Sequence, residues 1–372
     1  MHMVVRLRWV WLAMAAGMLL AATVGGVLLR GQGQTVEQPA EDKAEYIKWV
    51  DFNVSYEALD RALSLDIAAN KAGTPISWID LLAYAAAKNG NNFKGFRLGL
   101  LDETAAKLQN GTPIEELTEN MKYFSYYKEA FTAVLGGMVG DFAVEVPLEG
   151  GSTEWQQRYG LRAFSPIAKN YPYVDFDDFG ASRSYGFRRK HLGHDLMGQV
   201  GTPVIAVEGG TVEALGWNQY GGWRIGIRSH DKKRYYYYAH LRRNYPYALG
   251  LEVGSEVQAG DVIGYLGRTG YSATENVNNI DDPHLHFGMQ LIFDESQKEG
   301  NNEIWIDVYP IVRLLSRHRS EVVKDLATKN YSRVYGFKEH LPCPPNRAAR
   351  ETLRLLLLFA IITSGGGGRV WN

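Results

Sequence analysis

Val204-Ile205-Ala206-Val207, Trp223-Arg224-Ile225-Gly226-Ile227, Tyr235-Tyr236-Tyr237-Tyr238-Ala239 and Val262-Ile263-Gly264-Tyr265 are short runs rich in β-branched and aromatic residues, set apart by glycine-containing turns. Runs of this length and spacing predict many short strands, hence a β-rich domain. That texture begins after Gly140. Upstream, from about Tyr46 to Val139, the apolar period is helical, with Ala58, Leu59, Ala62, Leu63 and Ile67 on one stripe. Thr74-Pro75 reads as an N-cap with proline at the first helical position, leading into Trp78-Ile79-Asp80-Leu81-Leu82. Thr112-Pro113-Ile114-Glu115 reads as a capping box before another helix. Three or four short helices are expected there, with the aromatic Met121–Tyr127 stretch as core or interface.

Outward from these two textures, the 372-residue chain reads as an α+β multidomain protein. The expected order is a membrane anchor or signal sequence (1–30), a linker (31–43), a small α-helical domain (44–140), a connecting segment (141–179), a mostly antiparallel β-sheet domain (180–316) and a C-terminal tail (317–372). A polar, basic helix from about Val312 is expected to close the β domain. Arg6 and Arg8 precede the uncharged run Trp9–Leu29, and Arg30 ends it. Such a run, at about 1.5 Å per residue, is long enough to cross a bilayer core of about 30 Å. Positive charge ahead of it predicts a cytoplasmic N-terminus with the remainder outside, as a single-pass membrane protein. Leu20-Ala21-Ala22-Thr23 supports the competing reading, a cleaved signal and a secreted protein. Both readings place the β domain outside the cell.

Composition narrows the chemistry. Apolar residues make up 45% and charged residues 22%, enough to bury real cores. The formal net charge of -1 gives no bulk attraction for nucleic acid or another polyanion, so recognition falls to local groups. The one cysteine, Cys343, excludes an intrachain disulfide and leaves His, Asp and Glu as metal ligands.

Six of the nine histidines lie between 191 and 286, in the β-rich part. Two clusters matter: His191-Leu192-Gly193-His194-Asp195 and His284-Leu285-His286. Side chains alternate faces along a strand, so His191 and Asp195 share one face with Gly193 leaving room between them, and His194 points away. His284 and His286 likewise share a face. His191, Asp195 and one of that pair make a zinc site of two nitrogens and a carboxylate oxygen with the fourth position open, the catalytic arrangement. The other His of the pair and His240 are then available as general base or to stabilise a developing oxyanion.

These residues, with Gly201-Thr202-Pro203-Val204, Tyr238-Ala239-His240-Leu241, Gly254, Gly260-Asp261-Val262-Ile263-Gly264, Thr269-Gly270-Tyr271-Ser272 and Pro283-His284-Leu285-His286-Phe287, resemble lysostaphin/LytM-type zinc endopeptidases in order and spacing. Phe179-Gly180-Ala181-Ser182-Arg183 resembles the segment that leads into that domain. The resemblance covers residues 180–316. It implies that His191, Asp195 and His286 bind zinc and that His240 and His284 are the unliganded catalytic pair, with His284 the base. It also implies a compact antiparallel domain with a groove over the metal, and peptidoglycan cross-bridges or stem peptides as substrate. Two departures from the family pattern stand out. Ala273–Asp282 is an insertion just before the metal-site histidines, expected to border the groove. Gly288 stands where the family often has Glu, and is expected to reflect packing.

Among the remaining residues, His194 and His230 read as structural, and His318 and His340 as outside the domain. Trp217, Tyr220 and Trp223, with Tyr236 and Tyr238, are candidates for a groove wall. Arg183 reads as a groove residue or a loop tie. A competing function is a zinc-containing cell-wall scaffold that recruits an envelope protein through its helical domain. A biotinyl-type carrier, suggested by Val253–Asp261, lacks a lysine in the right hairpin context.

Overall fold

The computed structural model describes residues 46–339, apart from 185–187, 299 and 301. The expected anchor, linker and Cys343 tail lie outside the described residues. Among the described residues no helix is long and apolar enough to cross a membrane.

Five helices come first: α1 (Tyr56–Lys71), α2 (Trp78–Asn89), α3 (Gly99–Gln109), α4 (Ile114–Thr118) and α5 (Phe124–Leu135). The strands follow as β1 (Val139–Pro147), β2 (Thr153–Leu161), β3 (Val174–Asp175), β4 (Ser182–Ser184), β5 (Arg188–Lys190) and β6 (His194–Met197). Next are β7 (Pro203–Ile205), β8 (Gly210–Asn218), β9 (Gly222–Ser229), β10 (Arg234–Ala239), β11 (Glu256–Val257), β12 (Val262–Tyr265), β13 (His284–Leu291) and β14 (Ile304–Ile306). Helix α6 (Tyr309–Leu315) and β15 (Val322–Lys324), β16 (Tyr331–Arg333) and β17 (Phe337–Glu339) complete the described chain.

Helix starts differ from expectation. Thr74 does not cap α2; the Ser77 side chain accepts from Asp80 N, and Asp66 Oδ2 accepts from Trp78 N at 2.8 Å. Pro75 disfavours helical geometry at Thr74, which pushes the start downstream. At α4, Pro113 is the capping residue and makes no side-chain hydrogen bond, so no capping box forms.

The main sheet has eight antiparallel strands in the order β11-β8-β9-β10-β13-β6-β3, with β14 also pairing β13. Its inner face carries Ile225, Ile227, Tyr236, Tyr238, Leu285 and Phe287 into one hydrophobic cluster with Leu59, Leu81, Phe131 and Leu135 of the helices. Helices and sheet therefore share a core. The segment expected as a connection carries the β1–β2 hairpin, and β17 pairs with β1 from the far end of the chain. Helix α6 is apolar on its buried side, through Ile311, Val312, Leu314 and Leu315, rather than polar throughout.

Candidate metal centre

β13 alternates: Leu285, Phe287, Met289 and Leu291 are buried in the core, and His284, His286 and Gly288 face the opposite side. β6 pairs so that Asp195 lies across from His286, and β10 so that Ala239 lies across from it on the other side. His191 arrives from the loop before β6. His191 Nε2, Asp195 Oδ1 and His286 Nδ1 form a nearly equilateral triangle, with separations of 3.0, 3.0 and 2.9 Å. Gly193 makes the triangle possible by a route other than strand alternation. A Cβ at Gly193 would stand 2.5 Å from His286 Nε2 and 2.9 Å from Phe287 O.

The donor set fits zinc. Two imidazole nitrogens and a carboxylate oxygen converge on one point, and a carboxylate stands behind one ligand: Asp178 Oδ1 lies 3.1 Å from His191 Nδ1. Burial opposes ionisation of Asp195, but hydrogen bonds to His191 and His286 outweigh it and hold the carboxyl well below its usual range. Burial holds His286 toward the neutral, ligating form. For His191 burial pulls the same way, yet Asp195 and Asp178 more than offset it and raise the imidazole above its usual value. Arg183 is both groove residue and tie: it pairs with Asp178 and sits 3.4 Å from Asp195 Oδ2.

His240 and His284 complete the centre without joining the triangle, their rings 4.7 Å apart. Each turns Nδ1 to a backbone carbonyl: Thr269 O at 2.9 Å from His240 and Asp282 O at 2.8 Å from His284. That contact places the proton on Nδ1 and leaves Nε2 free as an acceptor. His284 Nε2 lies 3.8 Å from Asp195 Oδ1. Burial, then the neighbouring His284 and His286, hold His240 well below the usual imidazole range.

A cleft of about 530 Å³ opens beside the triangle, lined by Tyr220, Arg224, Tyr235, Tyr237, Tyr271 and Trp305 among others. The expected wall is thus corrected. Tyr236 and Tyr238 are fully buried on the core face, and Trp217 and Trp223 pack edge to face away from the cleft, tied to Ser272 O and Asn276. Their odd-numbered neighbours Tyr235 and Tyr237 face the cleft. His240 joins that face only because its φ of 60° breaks the alternation past the end of β10.

The insertion borders the centre as expected. Ile280, Asp281 and Asp282 line a second cavity of about 390 Å³ beside His284 and Asp195. Gly288 leaves room for Trp305, whose Cζ3 would lie 2.8 Å from a Cβ there. His194 bonds Asp175 at 2.9 Å from the core face, and His230 sits 3.7 Å from Glu256. His318 is part of the fold: it stacks on Phe164 at 4.2 Å and bonds Ala163 O. His340 lies outside the described residues. Asp178, Arg224 and Trp305 were missed, because single residues in loops and outer strands carry no spacing signal.

Comparison with known proteins bears on this geometry. Residues 189–299 match the sequence profile of peptidase family M23. The chain is 37% identical over 166 residues to an L-Ala–D-Glu endopeptidase of Bacillus subtilis, covering 44% of this chain and 47% of that protein, about half its length. It is 39% identical over 98 residues to the glycyl-glycine endopeptidase ALE-1 of Staphylococcus capitis, covering 26% of this chain and 24% of that one. The solved catalytic domain of lysostaphin from Staphylococcus simulans aligns at 31% identity over 38% of this chain and 92% of that chain, with a TM-score of 0.29. Residues 189–299 thus form a peptidase family M23 domain, similar to peptidases of the lysostaphin/LytM type.

Proposed function

We propose that this chain is a zinc-dependent endopeptidase that hydrolyses peptide bonds of peptidoglycan. The observation that carries the reading is the triangle of His191 Nε2, Asp195 Oδ1 and His286 Nδ1 with two free imidazole Nε2 atoms beside it. The names of the relatives, an L-Ala–D-Glu and a glycyl-glycine endopeptidase, support a cell-wall peptide as substrate. Arg6 and Arg8 ahead of Trp9–Leu29 support export to where that substrate lies.

Zinc held by His191, Asp195 and His286 would supply a Lewis acid, polarising the scissile carbonyl and acidifying a water to a pKa of about 7. The residues of the chain do the rest. His284, its Nδ1–H fixed on Asp282 O, presents Nε2 to accept the proton of the attacking water. His240, held neutral by burial, is the poorer proton acceptor, and the proton that His284 takes from the water is the one passed to the leaving amine. Tyr237, edge-on to His286 at 6.0 Å, closes the floor beneath the reacting peptide.

The test is digestion of purified peptidoglycan by the zinc-loaded chain from Glu45 onward, with His284→Ala as control. Released muropeptides with a silent control establish the activity, and their masses name the bond. Stoichiometric zinc with no cleavage of any cell wall would overturn it in favour of a scaffold.

A further inference from the structure

The cross-strand row that holds the metal ligands continues beyond them. Asp195 of β6 pairs with His286 of β13, and His286 with Ala239 of β10. The Tyr238–Ile225 register brings Arg224 of β9 opposite Ala239, and Gly216 of β8 lies beyond Arg224. Side chains in one such row share a face. Ala239 is small, so a trough runs from the metal cluster across β10 to the Arg224 guanidinium. Two strand spacings put that arginine roughly 10 Å from His286, the span of about three extended peptide residues.

Arg224 has no carboxylate partner among the described residues, and its Nε is shut off from solvent without a hydrogen bond. An unpaired buried guanidinium donor costs free energy that a ligand can recover. Arg189 stands on the same cleft, over the rings of Tyr220 and Tyr271 at 5.5 and 5.1 Å, and its Nε is likewise unpaired. On the other side of His284 the smaller cavity is acidic, with Asp281 and Asp282 on its rim. The groove is polarised across the reacting centre.

We infer that Arg224, assisted by Arg189, is a carboxylate-recognising subsite, and that the substrate is an acidic stem peptide rather than an uncharged glycine bridge. The inference rests on the peptidase reading above and names its substrate class. Arginine is suited to this role because its planar fork accepts a carboxylate with two parallel hydrogen bonds.

The experiment offers the zinc-loaded chain two synthetic stem peptides, one with a free glutamyl carboxylate and one with that carboxylate converted to the primary amide. Wild type should prefer the free acid by about 10- to 100-fold in kcat/KM, the loss expected when a charged hydrogen bond goes unmade. Arg224→Gln should bring the ratio near one. Arg224→Lys, which keeps charge without the fork, should leave an intermediate ratio, and it serves if the glutamine variant folds poorly. Binding of both peptides to a His284→Ala chain separates the two readings. Tighter binding of the acid, lost on adding Arg224→Gln, supports the subsite even if no bond is cut. An acid-to-amide ratio unchanged by either Arg224 substitution, in cleavage and in binding, would overturn it and leave the peptidase reading intact.

Discussion

Two substitutions separate ligand from base. His284→Ala should lower kcat/KM by about 10²- to 10⁴-fold, the usual contribution of a positioned general base, while one zinc per chain is retained. His286→Ala should lose the metal itself, and zinc analysis of the two purified variants distinguishes them. Gly193→Ala tests the steric half of the site. The added methyl would meet His286 Nε2 at 2.5 Å and the Phe287 carbonyl at 2.9 Å, and a backbone carbonyl in a central strand cannot yield. Zinc affinity should fall by about 10- to 100-fold, as for other groups that orient a ligand from behind; equal affinity in a chelator competition would sink the argument. At this scale Asp195, His284 and His286 were legible because β6 and β13 keep the strand period, whereas His191 reaches the same point from the loop before β6, so the alternation expected for it does not hold. Gly193 was legible as space, although the space serves His286. Asp178 was invisible: it meets His191 through a loop, and nothing in its sequence neighbourhood marks a carboxylate behind a ligand.

Among elements, alternation was the reliable signal and its interruptions were the source of error. β13 and β6 obey it, which is why the ligand faces could be assigned. β10 obeys it as far as Ala239, and the left-handed His240 then reverses the face. Helix starts were misplaced for a related reason: the group that holds the start of α2 is remote in sequence. Asp66, 2% exposed in α1, accepts from Trp78 N at 2.8 Å and from the Tyr159 hydroxyl at 2.7 Å. Asp66→Ala leaves the buried Trp78 N–H and the half-buried Tyr159 hydroxyl without this acceptor, so unfolding free energy should drop by about 1–3 kcal/mol, chiefly through Trp78. The same carboxyl sets a pH signature. Burial raises it above its ordinary value of 3.8, against the pull of Tyr159 and Trp78. The folded state therefore binds more protons than the unfolded state between 3.8 and the raised value, and stability falls as pH rises through that window. Urea midpoints across pH 3 to 7 should show this fall in the wild type and its absence in Asp66→Asn. A fall of equal size in both would assign it to other carboxyls.

Across the whole molecule, helices and catalytic sheet are joined by a charged network as well as by apolar packing. Arg234, with no exposed surface, bonds both oxygens of Glu208 at 2.8 and 3.0 Å, Asp231 at 2.8 Å, and the Ala133 carbonyl at the end of α5 at 2.7 Å. Tyr236 donates to the same Glu208 at 2.6 Å. Gly137 admits the network, since a Cβ there would lie 1.5 Å from Glu208 Oε1. This joint was not legible in the sequence, because Glu208 and Arg234 look like ordinary charged residues beside turns. Only the fold shows that both are buried against α5. Breaking such a pair by removing one partner leaves a buried charge uncompensated, at a cost of about 3–5 kcal/mol. Arg234→Ala should therefore lower stability by that order, and far more than removal of the half-exposed Arg61–Asp102 pair, where about 0–1 kcal/mol is expected. Because the joint and the shared core couple helices to sheet, the wild-type chain from Glu45 should unfold in one transition. Far-ultraviolet dichroism and tryptophan fluorescence should then give the same urea midpoint. In Arg234→Ala the two probes should still coincide, at a lower midpoint, if apolar packing alone is enough to keep helices and sheet cooperative. Separate midpoints in the wild type would mean that the helices fold independently of the peptidase sheet.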